Sequence, residues 1–336
     1  MDQIEQRILW AIDRNCRESH TRIAESLGIT KQRLHYRLQR LQQCGLVKRY
    51  IPLIDMHRLG FLTFRIYFRY KNLERFRSSE IVRHFERLDH TVWIGSLEGV
   101  WDLEVVFAVR SFVQLNNIFK QARATLGSFF QRYNISMSPV CYQFNRNYLV
   151  NRRQPGIAPA YYGFEPSPAK LGRNDLRVLA ALAQDCRQTN RDLALRLGIA
   201  FRTVRQSIDR LEQLKIIQGY RAVFDVEKLG RRYYKALIKL TEMNEEIEPR
   251  LYKFCGKFNS VTYLTEVLGD WQLEIDVEVA DLRDFTKLLS LLRQEFPLNV
   301  IDYEILEVVK EEKIDFFPMA ASALKDFDRQ LSQINE

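Results

Sequence analysis

Residues Ile23 to Tyr50 read IAESLGITKQRLHYRLQRLQQCGLVKRY, and this stretch decides the fold. Its apolar residues fall three and four apart, so it forms helices. Ile23, Ala24 and Leu27 lead to Gly28, the residue type that supplies the left-handed stop favoured at a helix end. Thr30 then stands where a side-chain oxygen caps a following helix, Lys31 to Cys44, with Leu34, Leu38 and Leu41 along one stripe. Two short helices about a glycine turn are a helix-turn-helix. Gly45 ends the pair, and Leu46 to Ile54 alternates as a short β-hairpin, or wing, would. Upstream, Ile4, Ile8, Leu9 and Ile12 mark a first helix at about Asp2 to Asp13.

The stretch comes back. Leu193 to Tyr220, LALRLGIAFRTVRQSIDRLEQLKIIQGY, repeats it with a constant displacement of 170: Ala24 matches Ala194, Gly28 matches Gly198, Arg40 matches Arg210 and Tyr50 matches Tyr220. Downstream of the first copy the period changes to two, with Phe64, Ile66, Phe68 and Tyr70 on one face of a strand. A helix at about Ser79 to Leu88, strands at Thr91 to Leu97 and Trp101 to Val109, a helix from Phe112 to Leu126 and a strand at Arg132 to Tyr142 complete a β-α-β-β-α-β order. That order is ferredoxin-like, a four-stranded antiparallel sheet with two helices on one face, and it recurs from Tyr233 to Val309. The fold class is therefore α+β, with winged helix-turn-helix domains at 1–54 and 171–224 and ferredoxin-like domains at 60–145 and 231–312. Pro155, Gly156, Pro159, Gly163, Pro166 and Pro168 make 146–170 a linker. The tail at 313–336 spaces Phe316, Ala320, Leu324, Phe327, Leu331 and Ile334 as an amphipathic helix, expected to dock on its own chain.

A chain of 336 residues with 46% hydrophobic content builds sizeable cores. No run approaches the roughly 20 apolar residues that span a bilayer, and the start has no signal-peptide pattern, so a soluble cytoplasmic protein without a membrane partner is expected. Cys16, Cys44, Cys141, Cys186 and Cys255 have no ligand spacing to one another or to histidine, so neither a metal site nor a cofactor is expected. Cys16 and Cys186 are equivalent in the two repeats. A paired redox role is conceivable, but small buried residues at a core helix end is the plainer reading. Both repeated modules are basic, with ten Lys and Arg against five acids in 1–50 and nine against five in 171–220.

Charge of this kind on a helix-turn-helix points to double-stranded DNA. Phosphates attract the bases through counterion release, and base edges in the major groove give specificity. At the start of the first recognition helix, Lys31, Gln32, Arg33 and Tyr36 are candidates for base contacts, and Arg37 and Arg40 for phosphate. The second module offers Phe201, Arg202, Thr203, Arg205, Gln206 and Arg210.

The combination resembles the Lrp/AsnC, or feast/famine, transcription regulators. The residues that carry the likeness are Ile23-Ala24-x-x-Leu27-Gly28-Ile29, Arg40-Leu41-x-x-x-Gly45-Leu46-Val47-x-x-Tyr50, Gly99-Val100-Trp101-Asp102-Leu103 and Gly269-Asp270-Trp271-Gln272-Leu273. The resemblance implies a non-enzymatic regulator whose loops at Gly99, Trp101, Asp102, Gly269 and Asp270 help bind a small-molecule effector such as an amino acid, with Asp102 and Asp270 meeting an ammonium group. One unit per chain is usual in that family, so a covalent tandem departs from it. Sheet faces left open by the helices imply a homo-oligomer through the ferredoxin-like sheets, with Tyr67 and Arg69 in the contact; pairing within one chain is the alternative. Two further readings stay open: an enzyme resembling sirohaem decarboxylases, and a protein-docking regulator without specific DNA binding.

Overall fold

The structure is a computed structural model that describes residues 1–71, 75–150, 158–163 and 169–325. The first helix-turn-helix comprises α1 (Gln3–Asn15), α2 (His20–Leu27), α3 (Lys31–Gln43) and strand β1 (Val47–Ile54). Then follow β2 (Leu62–Tyr70), α4 (Arg75–Glu86), β3 (Thr91–Glu98), β4 (Leu103–Val109), α5 (Phe112–Leu126), β5 (Phe130–Gln143) and a short β6 (Ala160–Tyr162). The second copy has α6 (Arg173–Gln184), α7 (Asn190–Leu197), α8 (Phe201–Gln213) and β7 (Ile217–Phe224). It continues through β8 (Arg232–Leu240), α9 (Ile247–Cys255), β9 (Val261–Leu268), β10 (Leu273–Val279), α10 (Leu282–Glu295) and β11 (Val300–Ile314).

The two ferredoxin-like sheets join into a ring of strands, in the order β2-β4-β3-β11-β8-β10-β9-β5, which closes because β5 also pairs with β2. Each last strand serves both copies. The first half of β5 pairs with its own β2, from Tyr70↔Phe130 to Phe64↔Met137, and its second half pairs with β9, from Met137↔Leu268 to Gln143↔Tyr263. Likewise β11 pairs with β8 over Val300 to Val308 and with β3 over Glu307 to Ile314. This is why β11 runs to Ile314 and not to Val309. Closure leaves six of the eight strands paired on both sides, while β5 and β11 are each paired along different halves on their two sides.

Helices cover the outside of the ring. Phe64, Ile66, Phe68, Phe85, Phe107 and Leu115 form one outer core, and Tyr234, Ile238, Phe254, Phe285 and Leu289 its counterpart. Between the sheets lie Tyr67, Leu97, Trp101, Leu237, Trp271 and Leu306, all buried. Tyr67 thus stands in the sheet contact as expected, whereas Arg69 sits at its rim, bonded to Asp102 at 2.9 Å. The contact is made within one chain. The faces expected to hold a homo-oligomer together are covered by the duplication itself.

Two expectations are corrected. The wing is not a hairpin: β1 pairs antiparallel with β7 of the other copy, with Tyr50↔Ala222, Ile51↔Arg221 and Pro52↔Tyr220 in register. Pro52, which has no N–H to donate, is tolerated because the ribbon has only two strands. The stretch 146–170 is not linker throughout. Arg146 and Leu149 are buried, and β6 adds to β5 with Tyr162 buried, because Arg146 fills an ion-pair site and Tyr162 a sheet edge. Pro155, Gly156, Pro166 and Pro168 lie outside the described residues, as do Phe327, Leu331 and Ile334 of the tail. The described part of the tail does dock on its own chain, with Phe317 and Met319 buried among the helix-turn-helix residues.

Candidate nucleic-acid interface

The recognition helices are α3 and α8. Ser19 caps α2 by accepting from Arg22 N–H, Gly28 ends it at φ 67°, and Thr30 accepts from Arg33 N–H to start α3. In the second copy Thr189 caps α7 and Gly198 ends it at φ 63°, but Ala200 begins α8 with no side-chain cap. Leu34, Leu38 and Leu41, like Val204, Ile208 and Leu211, face the core. That burial turns the opposite faces to solvent: Lys31, Gln32, Arg33 and Tyr36 are exposed on α3, and Phe201, Arg202, Arg205 and Gln206 on α8, with Thr203 half-buried. Tyr36 is 65% exposed and Phe201 53%, large apolar surfaces with no cover from the rest of the chain.

Arg37, Arg40 and Arg210 are engaged differently. Asp2 and Glu5 form a capping box at the start of α1. Arg37 pairs with Asp2 at 2.5 Å, and Arg40 pairs with Glu5. At the equivalent place Arg210 stands 3.6 Å from Asp175 and donates to Lys170 O at 2.7 Å. These arginines therefore fix the recognition helices to α1 and α6, and Arg40 and Arg210 keep about half their side chains in solvent beside the helix face. Sequence reasoning missed Glu5 and Asp175. The signal was present in the spacing Asp2-x-x-Glu5, a capping pattern in which the acid at the third helical position is free to hold a second partner.

The two readers are locked together. Besides the β1–β7 ribbon, Cys16 N–H donates to Tyr220 O at 3.0 Å and Cys186 N–H to Tyr50 O at 3.4 Å. The Cys16 and Cys186 thiols meet at 3.3 Å where the copies join, both fully buried. Burial, with Cys186 adjacent, pushes the Cys16 thiol well above the usual range, so it is not ionised. Arg17 covers the Tyr220 ring at 5.2 Å and Arg187 the Tyr50 ring at 5.1 Å. Arg187 also lies 2.6 Å from His20, and burial together with this cation lowers the His20 imidazole to about 4. Asp13 on α1 binds Arg146 at 2.9 Å, and Arg146 in turn binds Glu278 of β10 at 2.8 Å, which ties the first reader to the ring.

The glycine loops are shaped by the contact between the two copies. Gly99 has φ 135°, and a Cβ there would lie 2.9 Å from Leu306 Cδ2; a Cβ on Gly269 would lie 2.9 Å from Ser136 Cβ. Each glycine is needed so that its loop can approach the last strand of the other copy. Asp102 accepts from Tyr70 N–H at 2.6 Å and from Arg69, and Gln272 accepts from Leu240 N–H at 2.9 Å. The exchange of acid for amide thus preserves one backbone cap. Asp270 accepts from Asn134 at 2.6 Å, while Trp101 and Trp271 are buried between the sheets.

Two helix-turn-helix modules with basic, uncovered recognition helices on a paired ferredoxin-like base define a DNA-binding regulator. A family model described as winged helix-turn-helix DNA-binding matches residues 1–48 and 171–218. The Bkd operon transcriptional regulator of Pseudomonas aeruginosa is 31% identical over 123 residues, 36% of this chain and 80% of the relative. The leucine-responsive regulatory protein of Haemophilus influenzae is 26% identical over 146 residues, 41% of this chain and 84% of the relative. The chain belongs to the Lrp/AsnC family of transcription regulators, as a tandem of two units. In fold it is similar along its whole length to the crystal structure of the siroheme decarboxylase NirDL in complex with an iron-uroporphyrin III analogue. The TM-score is 0.62 at 13% identity, covering 100% of both chains. No helix among the described residues is long and apolar enough to cross a membrane.

Proposed function

We propose that this protein is a sequence-specific DNA-binding transcription regulator in which one chain supplies both readers of an operator. The observation that carries the reading is the pair of uncovered faces, Lys31, Gln32, Arg33 and Tyr36 on α3 and Arg202, Arg205 and Gln206 on α8. They are held on a common base by the β1–β7 ribbon. Arg33 and Arg202 stand near the helix starts, where side chains reach base edges, and Arg can hold guanine O6 and N7 together. Arg40 and Arg210, anchored by acids at one end, lie where phosphates pass. Selection of preferred sequences from a random DNA pool tests this with wild type, Arg33→Ala and Arg202→Ala. Each variant should relax preference in a different part of the site. Uniform weakening, with a salt slope lower by about 1 for each arginine, would reduce both to phosphate contacts.

A second reading, a tetrapyrrole decarboxylase, draws on one observation besides the fold. A cleft of about 1700 Å³ between α1 and α10 is lined by Arg7, Arg14, Arg231, Lys257 and Lys287, with Trp10 beside them. Five bases outnumber the two acids of the lining, Glu18 and Asp284, a balance that suits a large polycarboxylate. Titration with sirohaem, followed by absorbance, decides it: a protein that stays colourless after desalting is no tetrapyrrole enzyme.

A further inference from the structure

The interior of the strand ring carries charges that DNA binding does not use. Arg65 binds Glu104 at 2.7 Å and Glu274 at 3.2 Å. Lys235 binds Glu104 at 2.8 Å and Glu274 at 2.9 Å. Under the displacement of 170, Arg65 matches Lys235 and Glu104 matches Glu274, so these four groups form a symmetric and neutral set. Asp276 breaks the symmetry, because its equivalent is Val106. It is 4% exposed; Oδ2 accepts from Tyr233 at 2.7 Å, but Oδ1 has no hydrogen-bond partner and its nearest cation, Lys235, stands at 3.7 Å.

Asp276 lines a cavity of about 110 Å³ between the ring interior and the junction from β1 to β2. Its apolar walls are Ile54, Met56, Val92, Val106, Ile314 and Phe316, and the rings of Trp93, Tyr233 and Tyr263 also border it. The cations at its floor are already committed to Glu104 and Glu274. His57, at its rim, is committed to Asp55 at 3.2 Å. An entering carboxylate would meet no spare positive charge, whereas an entering ammonium would meet an acid whose Oδ1 accepts no hydrogen bond and has Lys235 only at 3.7 Å, beside aromatic rings, which attract cations. An apolar cavity of about 150 Å³ holds benzene, so this one takes a chain of about three to five carbons.

We propose that this cavity binds a small primary alkylammonium, its nitrogen on Asp276 Oδ1 and its tail against Val106 and Phe316. The site is separate from the DNA faces and from the loops at Gly99 and Gly269. Calorimetric titration of the full chain with butylammonium, butanol, butyrate and norvaline tests it. Butylammonium should bind one per chain and outbind the other three by at least tenfold. Asp276→Asn, which can still accept from Tyr233, should weaken it by at least tenfold. Val106→Phe, which fills the cavity and leaves the acid in place, should abolish it. Absence of butylammonium binding to wild type, equal binding of butanol or butyrate, or unchanged affinity in a folded Asp276→Asn or Val106→Phe variant would overturn the proposal. Norvaline binding as tightly as butylammonium would also overturn it, since its carboxylate has no cation to meet. DNA affinity plays no part in these readouts, so they stand or fall apart from the operator reading.

Discussion

Arg146 shows how a single side chain joins reader to ring. Its guanidinium lies between Asp13 and Glu278, and its backbone N–H donates to Asp13 at 2.9 Å. Under the displacement its equivalent is Phe316, which borders the cavity, so one copy fills this place with an ion pair and the other with an apolar ring. Arg146→Ala would leave two buried carboxylates without their shared cation, a loss of about 3–5 kcal/mol. Urea unfolding should register it, and a change under 1 kcal/mol would assign the stability to packing alone. Asp276 gives a pH signature. Burial, with Glu274 adding and Lys235 opposing, pushes its carboxyl up to about 6, whereas the unfolded chain ionises near about 4. The folded state then holds more protons between these values. The stability Asp276 contributes is complete below about pH 4 and is lost as pH rises through 6. Burial and Glu248 also raise Glu266, to about 7, so the informative quantity is the difference between proteins. Relative to wild type, Asp276→Asn should gain on the order of 2 kcal/mol between pH 4 and 7. A pH-independent difference would show that Asp276 is ionised throughout.

At the scale of elements, the two glycine turns make opposite demands. Gly28 ends α2 at φ 67° with nothing within 4 Å of the place a Cβ would take, so Gly28→Ala meets only the left-handed backbone penalty, about 1–2 kcal/mol. Gly99→Ala adds a clash with Leu306 Cδ2 and Ile305 O to a φ of 135°. It should therefore destabilise the chain by more than Gly28→Ala, by about 3 kcal/mol in all, and thermal unfolding of the two variants compares them directly. Equal losses would mean that the loop moves away from β11 without penalty. Helix boundaries were legible where capping and periodicity are local and clear: Phe112 to Leu126 was read to the residue, whereas the helix read from about Ser79 to Leu88 runs from Arg75 to Glu86. The partner of β1 was not legible. Alternation in Leu46 to Ile54 indicates a strand but carries no address, and the pairing with β7 is fixed by contacts with α1 and α6 that lie far away in sequence. The extension of β11 to Ile314 escaped for the same reason, and nothing local in the sequence distinguishes Asp276 from the other strand acids.

For the whole molecule, duplication brings two ferredoxin-like units together within one chain. The sheet faces, the wing ribbon and the thiols of Cys16 and Cys186 all meet between copies of one chain, and the repeat at 170 was enough to reveal two units though not their mutual embrace. Covalent linkage frees the halves to diverge, and they have done so where DNA would be read: Lys31, Gln32, Arg33 and Tyr36 stand against Phe201, Arg202, Thr203 and Gln206 on matching apolar frames. A homodimer presents identical readers and favours a palindrome. This chain presents two different ones, so its best operator should be asymmetric, with half-sites separated by about 10.5 bp or a multiple, one chain per site. The check is a mobility-shift series with the selected operator and with both symmetrised versions of its halves. The selected site should bind best, each symmetrised site should lose about 1–3 kcal/mol for every mismatched base pair, and inserting half a turn between the halves should weaken all three. If either symmetrised site binds as well as the selected one, the differences between α3 and α8 do not read DNA, and the asymmetry of the chain serves its interior alone.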